Sequence, residues 1–248
     1  MDFQQFLGPF TVISFVLFGA LETFQPLTTL TLPFLRRWTF HLAIWIATSY
    51  LLVLALRISS VNYAATTNPL CPGLLFFLID DFALWLIHFS LHRFGWLWPW
   101  HSTHHSDPDM DASTGFRFHP VETILDQSCH LLLVYFLQPS VSAVLATQFI
   151  SIAHNFWVHS NTRFPQGLDR LLSLFIVTPS LHRSHHAQDL QHQNANYGIT
   201  LTLWDRLFRT FKLPAINPQV GLPGIPPKDT MHPYFALIQL PWNERPRR

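Results

Sequence analysis

Residues 6–24 (FLGPFTVISFVLFGALETF) and 38–56 (WTFHLAIWIATSYLLVLAL) are two apolar runs of about 19 residues each. That is close to the roughly 20 residues a helix needs to cross a bilayer. A third run, 72–92 (PGLLFFLIDDFALWLIHFSLH), is long enough too, but carries Asp80, Asp81, His88 and His92. Ionisable residues inside a spanning helix are costly and usually mark function. A fourth region, 121–158, is interrupted by Gln138-Pro139-Ser140. The chain therefore reads as all-α, an integral-membrane helical bundle of about three spans plus a helical hairpin. A cytoplasmic, histidine-rich helical cap completes that expectation.

Composition agrees. Only 12% of residues are charged, against about 25% in soluble domains, and the mean hydropathy is +0.21. A net charge of +1 with no basic tail gives nucleic-acid binding no electrostatic support. Cys71 and Cys129 are far apart and suggest neither a disulfide framework nor a thiolate metal site. There is no Gly-rich phosphate loop, no GxSxG and no internal repeat, and no basic segment before the first apolar run to suggest a removable signal peptide.

Arg36 and Arg37 lie between the first two spans, and Arg93, Arg117, Arg163, Arg170 and Arg183 follow the third, with Arg57 alone on the other side. The positive-inside rule then places the 25–37 loop and everything after residue 92 in the cytoplasm. Two helical arms, 121–137 and 140–157, turning at Gln138-Pro139-Ser140, would return the chain to the same face, since proline breaks a helix. The hairpin is expected to be fully or partly membrane-inserted. Residues 1–248 read as a single domain with a core at about 75–212, and 213–248 as a Pro-rich, irregular tail.

Histidine is the compositional outlier, at 15 of 248 residues. His88 and His92 form an HxxxH, His101, His104 and His105 an HxxHH, and His182, His185 and His186 a second HxxHH. Residues three and four apart share a helix face. Pro99 and Thr178-Pro179 are helix-start signals before the two HxxHH boxes. Neutral imidazole suits iron, zinc and copper, so these eight histidines can hold two metal ions with three to five ligands each. The competing reading of any one box is interfacial decoration, which three spaced boxes together make hard to sustain. His159 is a further candidate ligand, and His154 a ligand or an outer partner. His119 is expected near the site or capping a helix, and His41, His130, His192 and His232 at interfaces or on the surface. Asp81 is the candidate carboxylate partner of His88, with helix packing through hydrogen bonds as the rival reading. Asp107 is expected to orient a histidine and Asp109 to sit in a solvated loop.

Taken together, His88-FSL-His92, His101-ST-HH, SDPDMDASTGFRFHP, HSN, TPSLHRSHH, NANYG and LWDRLF resemble the fatty acid hydroxylase / sterol desaturase superfamily, in the order and spacing of its stand-alone bacterial-type members. The resemblance implies a membrane-bound, non-haem di-iron oxygenase that hydroxylates or desaturates a C–H bond of a lipid or sterol-like substrate with O2. It implies His88, His92, His101, His104, His105, His182, His185 and His186 as holders of two iron ions, with His159, or His154, completing the set. Asn196-Tyr197-Gly198 and Trp204-Asp205 look like the family's closing motif, packing against or hydrogen-bonding to the ligand shell. Two departures are Arg209, where the family commonly has glycine, and Ala195, where an acidic residue is often found. With no fused haem domain expected, electrons are expected from a separate carrier, a small cytochrome or a ferredoxin with its reductase. The expected location is a bacterial inner membrane, with lipid entering sideways between the third and fourth apolar regions against Trp85 and Phe89. The alternative is a zinc-binding membrane hydrolase or a non-catalytic metal-binding membrane protein, since zinc also takes histidine. A hydrolase would be expected to bring an HExxH-type glutamate, and none of Glu22, Glu122 and Glu244 falls inside a box.

Overall fold

The computed structural model describes residues 4–56 and 71–225. They form ten α-helices and one 3₁₀ turn, and the described residues contain isolated bridges but no strand. Helices α1 (Gln4–Phe24), α2 (Phe34–Leu56) and α3 (Gly73–Arg93) carry the first three apolar runs. α4 (Trp98–His105) and the 3₁₀ turn Ala112–Phe116 follow, then α5 (Pro120–Leu137) and α6 (Val141–His159). The short helices α7 (Gln166–Leu172), α8 (Pro179–His185), α9 (Leu190–Gln193) and α10 (Leu203–Leu207) complete the cap. Among the described residues, three helices are long and apolar enough to cross a membrane: Phe6–Phe24, Gly73–Arg93 and Val141–His159. Arg57, on which the orientation argument leaned, and His232 lie outside the described residues.

The hairpin is present, and its turn has a local cause. Gln138 adopts the left-handed conformation (φ 50°) as the C-cap of α5, and the Ser140 side chain accepts from Ala143 N (3.2 Å) to start α6. α6 packs against both α1 and α3, and its C-terminus reaches the 3₁₀ turn and α8. His119 caps α5, its Nδ1 accepting from Val121 N at 3.1 Å, with Pro120 at the first helical position.

Ion pairs and acceptor carboxylates tie the cap to the helices below it. Arg37 is fully buried and donates to Asp107 (2.9 Å) and Asp111 (2.6 Å). Asp107 orients none of the boxed histidines; besides Arg37 it accepts from Thr114 Oγ1 (2.6 Å). Asp109 is not in a solvated loop: it is 5% exposed and accepts from Thr31 N and Leu32 N, fastening the 25–33 segment to the cap. Glu22 accepts from Ala112 N and Asn161 N. His41 and His130 are also buried, because each has a polar partner that the local sequence does not show. His41 Nδ1 meets Ser113 Oγ at 2.7 Å, and His130 Nδ1 donates to Asp80 at 2.7 Å. Residues 213–225 are irregular as expected but docked: Gln188 N donates to Gln219 O, Gly221 N to His186 O, and Leu222 packs on Trp98.

Candidate metal centre

Four elements bring nine histidines together: α3 with His88 and His92, α4 with its box, the last residue of α6, and α8 with its box. None of the nine is more than 6% exposed. Their ring nitrogens fall into two groups, within each of which all ligand atoms lie within 4.8 Å of one another. One group is His88, His92, His101, His105 and His185; the other is His104, His159, His182 and His186.

The two boxes are therefore crossed. Each gives its first and last histidine to one group and its middle histidine to the other. Successive helical residues are about 100° apart, so i and i+4 diverge by only about 40°, while i+3 and i+4 are about 100° apart. A single-turn helix placed between two ions can thus serve both. The His105 and His186 rings, from opposite groups, stack at 4.3 Å between centroids where the two groups adjoin.

Hydrogen bonds at Nδ1 decide what the facing nitrogens can be. His88 Nδ1 meets Tyr197 O at 2.9 Å, His185 Nδ1 meets Ala195 O at 2.8 Å, and His159 Nδ1 meets Asn155 O at 2.7 Å. His104 Nδ1 meets Arg117 O at 3.2 Å. A carbonyl only accepts, so each of these rings carries its proton on Nδ1 and leaves Nε2 as a bare lone pair. Yet His88 Nε2 and His185 Nε2 are 3.0 Å apart, and His104 Nε2 and His159 Nε2 are 3.1 Å apart. Two lone pairs at that distance repel, and a shared cation removes the conflict. Ligands about 2.1 Å from one ion and at right angles to it are about 3.0 Å apart, so the spacing fits a metal. The buried Nδ1 atoms of His105, His182 and His186, and both nitrogens of His92, have no hydrogen-bond partner among the described residues.

The electrostatics point the same way. Burial lowers His101 to about 3. Burial, and then neighbouring imidazoles, hold His104, His105, His182, His185 and His186 well below the ordinary histidine range. The rings stay neutral, which is the ligating form.

The outer layer is built mostly from the closing motif. Asp205 accepts from Tyr197 N (2.9 Å), Gly198 N (2.7 Å) and Trp85 Nε1 (3.1 Å), holding the loop whose carbonyl takes His88. A Cβ on Gly198 would stand 2.6 Å from Leu201 O, so a side chain there would push this loop off. Asn196, at φ 59°, pins the loop to Lys212 by accepting from its backbone N–H (2.8 Å) and donating to its carbonyl (2.9 Å). Asp81 does not touch His88; it accepts from Thr200 N (2.9 Å) and Trp204 Nε1 (2.8 Å), supporting the same motif from α3. His154 joins neither group: its ring packs on Trp157 and hydrogen-bonds to the Val177 backbone.

The carboxylate that does reach a boxed histidine is Glu122, whose Oε1 accepts from His101 Nδ1 at 2.7 Å. Sequence reasoning missed it because it stands 21 residues from His101; an acid in the first turn of an apolar helix was the available signal. A cavity of about 240 Å³ touches both groups, at His88 and His101 and at His104, His159 and His182. It runs between α3, α5 and α6 past Leu84, Leu91 and Ile152. Trp85 and Phe89 are not in its wall; they stack on each other at 5.4 Å, and Trp85 also stacks on Phe208.

With the geometry in hand, comparison with known proteins is specific. The fatty acid hydroxylase family model matches residues 73–210. The chain is 32% identical to alkylglycerol monooxygenase of Xenopus tropicalis over 68% of its own length and 37% of that protein. It is 34% identical to the Homo sapiens alkylglycerol monooxygenase over 55% and 29% of the two chains. It is 28% identical to the ornithine lipid hydroxylase OlsE of Rhizobium tropici over 69% and 50%. The chain thus spans half the length or less of these curated relatives. No solved structure matches it. The chain belongs to the fatty acid hydroxylase family, and that family is one of oxygen-dependent oxidoreductases.

Proposed function

We propose that this chain is a membrane-bound lipid oxygenase that hydroxylates or desaturates a C–H bond, using O2 and electrons from a separate carrier. Two iron ions are the metals proposed for the centre, His88, His92, His101, His105 and His185 holding one and His104, His159, His182 and His186 the other. The observation that carries this reading is the pair of adjoining all-imidazole groups, with lone pairs facing across about 3 Å, opening on a cavity between apolar helices. The relatives' names, alkylglycerol monooxygenase and ornithine lipid hydroxylase, support a lipid substrate.

When bound, iron supplies the redox chemistry that activates O2 against an unactivated C–H bond. The protein's part is positional. Tyr197 O, Ala195 O, Arg117 O and Asn155 O hold the protons of His88, His185, His104 and His159 on Nδ1, so that Nε2 stays free. Glu122 does the same for His101. Leu84, Leu91 and Ile152 give one side of the approach to the centre an apolar surface. Glu122 engages the far side of the His101 ring from Nε2, an orienting role and not that of a hydrolytic base. We place the centre on the cytoplasmic side of a bacterial inner membrane, following the arginine distribution.

The test is metal analysis of protein purified without O2, followed by O2 uptake on adding reductant and lipid extract, with His104→Ala as control. Iron with lipid-dependent uptake that His104→Ala abolishes is the expected result. Zinc alone with no uptake would defeat the proposal in favour of the hydrolase or metal-binding alternative.

A further inference from the structure

Glu122, Asp126 and His130 stand at i, i+4 and i+8 along α5, one face of an otherwise apolar helix, and all three line the cavity that reaches the histidine centre. Asp80 of α3 and Gln148 of α6 line it as well. This polar wall begins at the His101 partner and extends about 12 Å along α5. Asp80, Glu122 and His130 are buried and Asp126 and Gln148 partly so, and placing such groups between apolar helices is costly unless each finds a partner.

Their hydrogen bonds show which capacity is spent. His130 Nδ1 donates to Asp80 Oδ1 (2.7 Å), and the Gln148 amide donates to His130 Nε2 (2.8 Å), so that trio satisfies itself. Glu122 is 3% exposed; its Oε1 takes His101, but its Oε2 has no partner among the described residues. Asp126, one turn further on, makes no hydrogen bond among the described residues. Of the five, Glu122 and Asp126 keep unused capacity as acceptors.

We propose, building on the lipid-oxygenase reading, that Asp126 and Glu122 form a binding subsite for the hydrogen-bond-donating group of a non-anionic lipid, a hydroxyl or an amine, in the cavity beside the histidine centre. A donor supplied by the ligand fills the orphan acceptors. A deprotonated carboxylate or phosphate offers these acceptors no donor and is disfavoured. A plain hydrocarbon leaves the acceptors bare and loses by the same logic.

The experiment measures direct binding of a long-chain primary alcohol and of the amine, carboxylic acid and alkane of equal length to the full metal-loaded chain in nanodiscs. Alcohol or amine, or both, bind at least about tenfold tighter than acid and alkane, the size expected of one buried hydrogen bond. Asp126→Leu erases that preference while metal content holds. If Asp126→Leu does not fold, Asp126→Asn, which offers a donor, brings the acid to within about threefold of the alcohol. Acid or alkane binding as tightly as both donors, or an unchanged preference in the variants, overturns the proposal. Because binding needs no turnover, a chain that shows the preference yet oxidises no lipid supports this subsite and sinks only the oxygenase reading. A chain that oxidises lipid with no preference does the reverse.

Discussion

The two histidine groups share α4 and α8 but are supported unequally. The group of five draws on α3 and has a carboxylate on one ring, Glu122 on His101, with the Tyr197 and Ala195 carbonyls behind two others. The group of four draws on the end of α6, has carbonyls behind His104 and His159, and leaves His182 and His186 without a partner at Nδ1. The group of five likewise leaves His92 and His105 without a partner, so what sets it apart is the carboxylate on His101 and one imidazole to spare; the group of four has fewer imidazoles, the arrangement that leaves room for a non-protein ligand.

The largest test of that contrast is ligand deletion. His182→Ala, which takes one of four, should cost about half the bound metal and all turnover. His92→Ala, which leaves four, should retain most of it, as read by metal analysis of the purified variants. Equal losses would break the comparison. Next in size is Glu122→Ala, expected to lower metal affinity or activity about 10–100-fold through His101 while sparing the second group. Acidification should be graded too. His101 titrates near 3 in the fold against an ordinary 6.5, so its contribution to stability is full above 6.5 and drains away as pH falls toward 3. Metal-free protein should therefore melt at progressively lower temperature across that window, followed by calorimetry. Metal-loaded protein should release the group-of-four ion at the higher pH.

The smallest effect concerns Arg209. It stands at φ 61°, a left-handed conformation that costs a non-glycine residue about 1–2 kcal/mol. The glycine common at that place in the family has a conformational reason, and Arg209→Gly should gain about 1 kcal/mol or less once its unfolded-state entropy is counted. Since Asn196 and Thr210 join this turn to the Ala195–Tyr197 carbonyls, any gain in metal retention should favour the group of five.

Much of this was legible because it is local. Gln138-Pro139-Ser140 announced the hairpin turn, and the spacing of the boxes announced clustered imidazoles. The crossing of the boxes was present in the same spacing, in the roughly 100° between His104 and His105. Reading all three as one face obscured it. Asp109, His41 and His130 were misplaced, and Asp81 was left between two readings, for one shared reason. Their partners Thr31, Thr200, Ser113 and Asp80 lie between 50 and 119 residues away, so no window of sequence contains both. The Glu122–Asp126–His130 stripe was readable at helical spacing, yet histidine boxes drew attention away from a lone acid.

The strap formed by residues 213–225 carries a consequence in time. Synthesis runs from the N-terminus, so the segment that fastens over His186 leaves the ribosome after every histidine of the centre. During that interval α8 lacks its outer cover on the His186 side, so an incoming ion has that side open to it as well as the cavity between α3, α5 and α6.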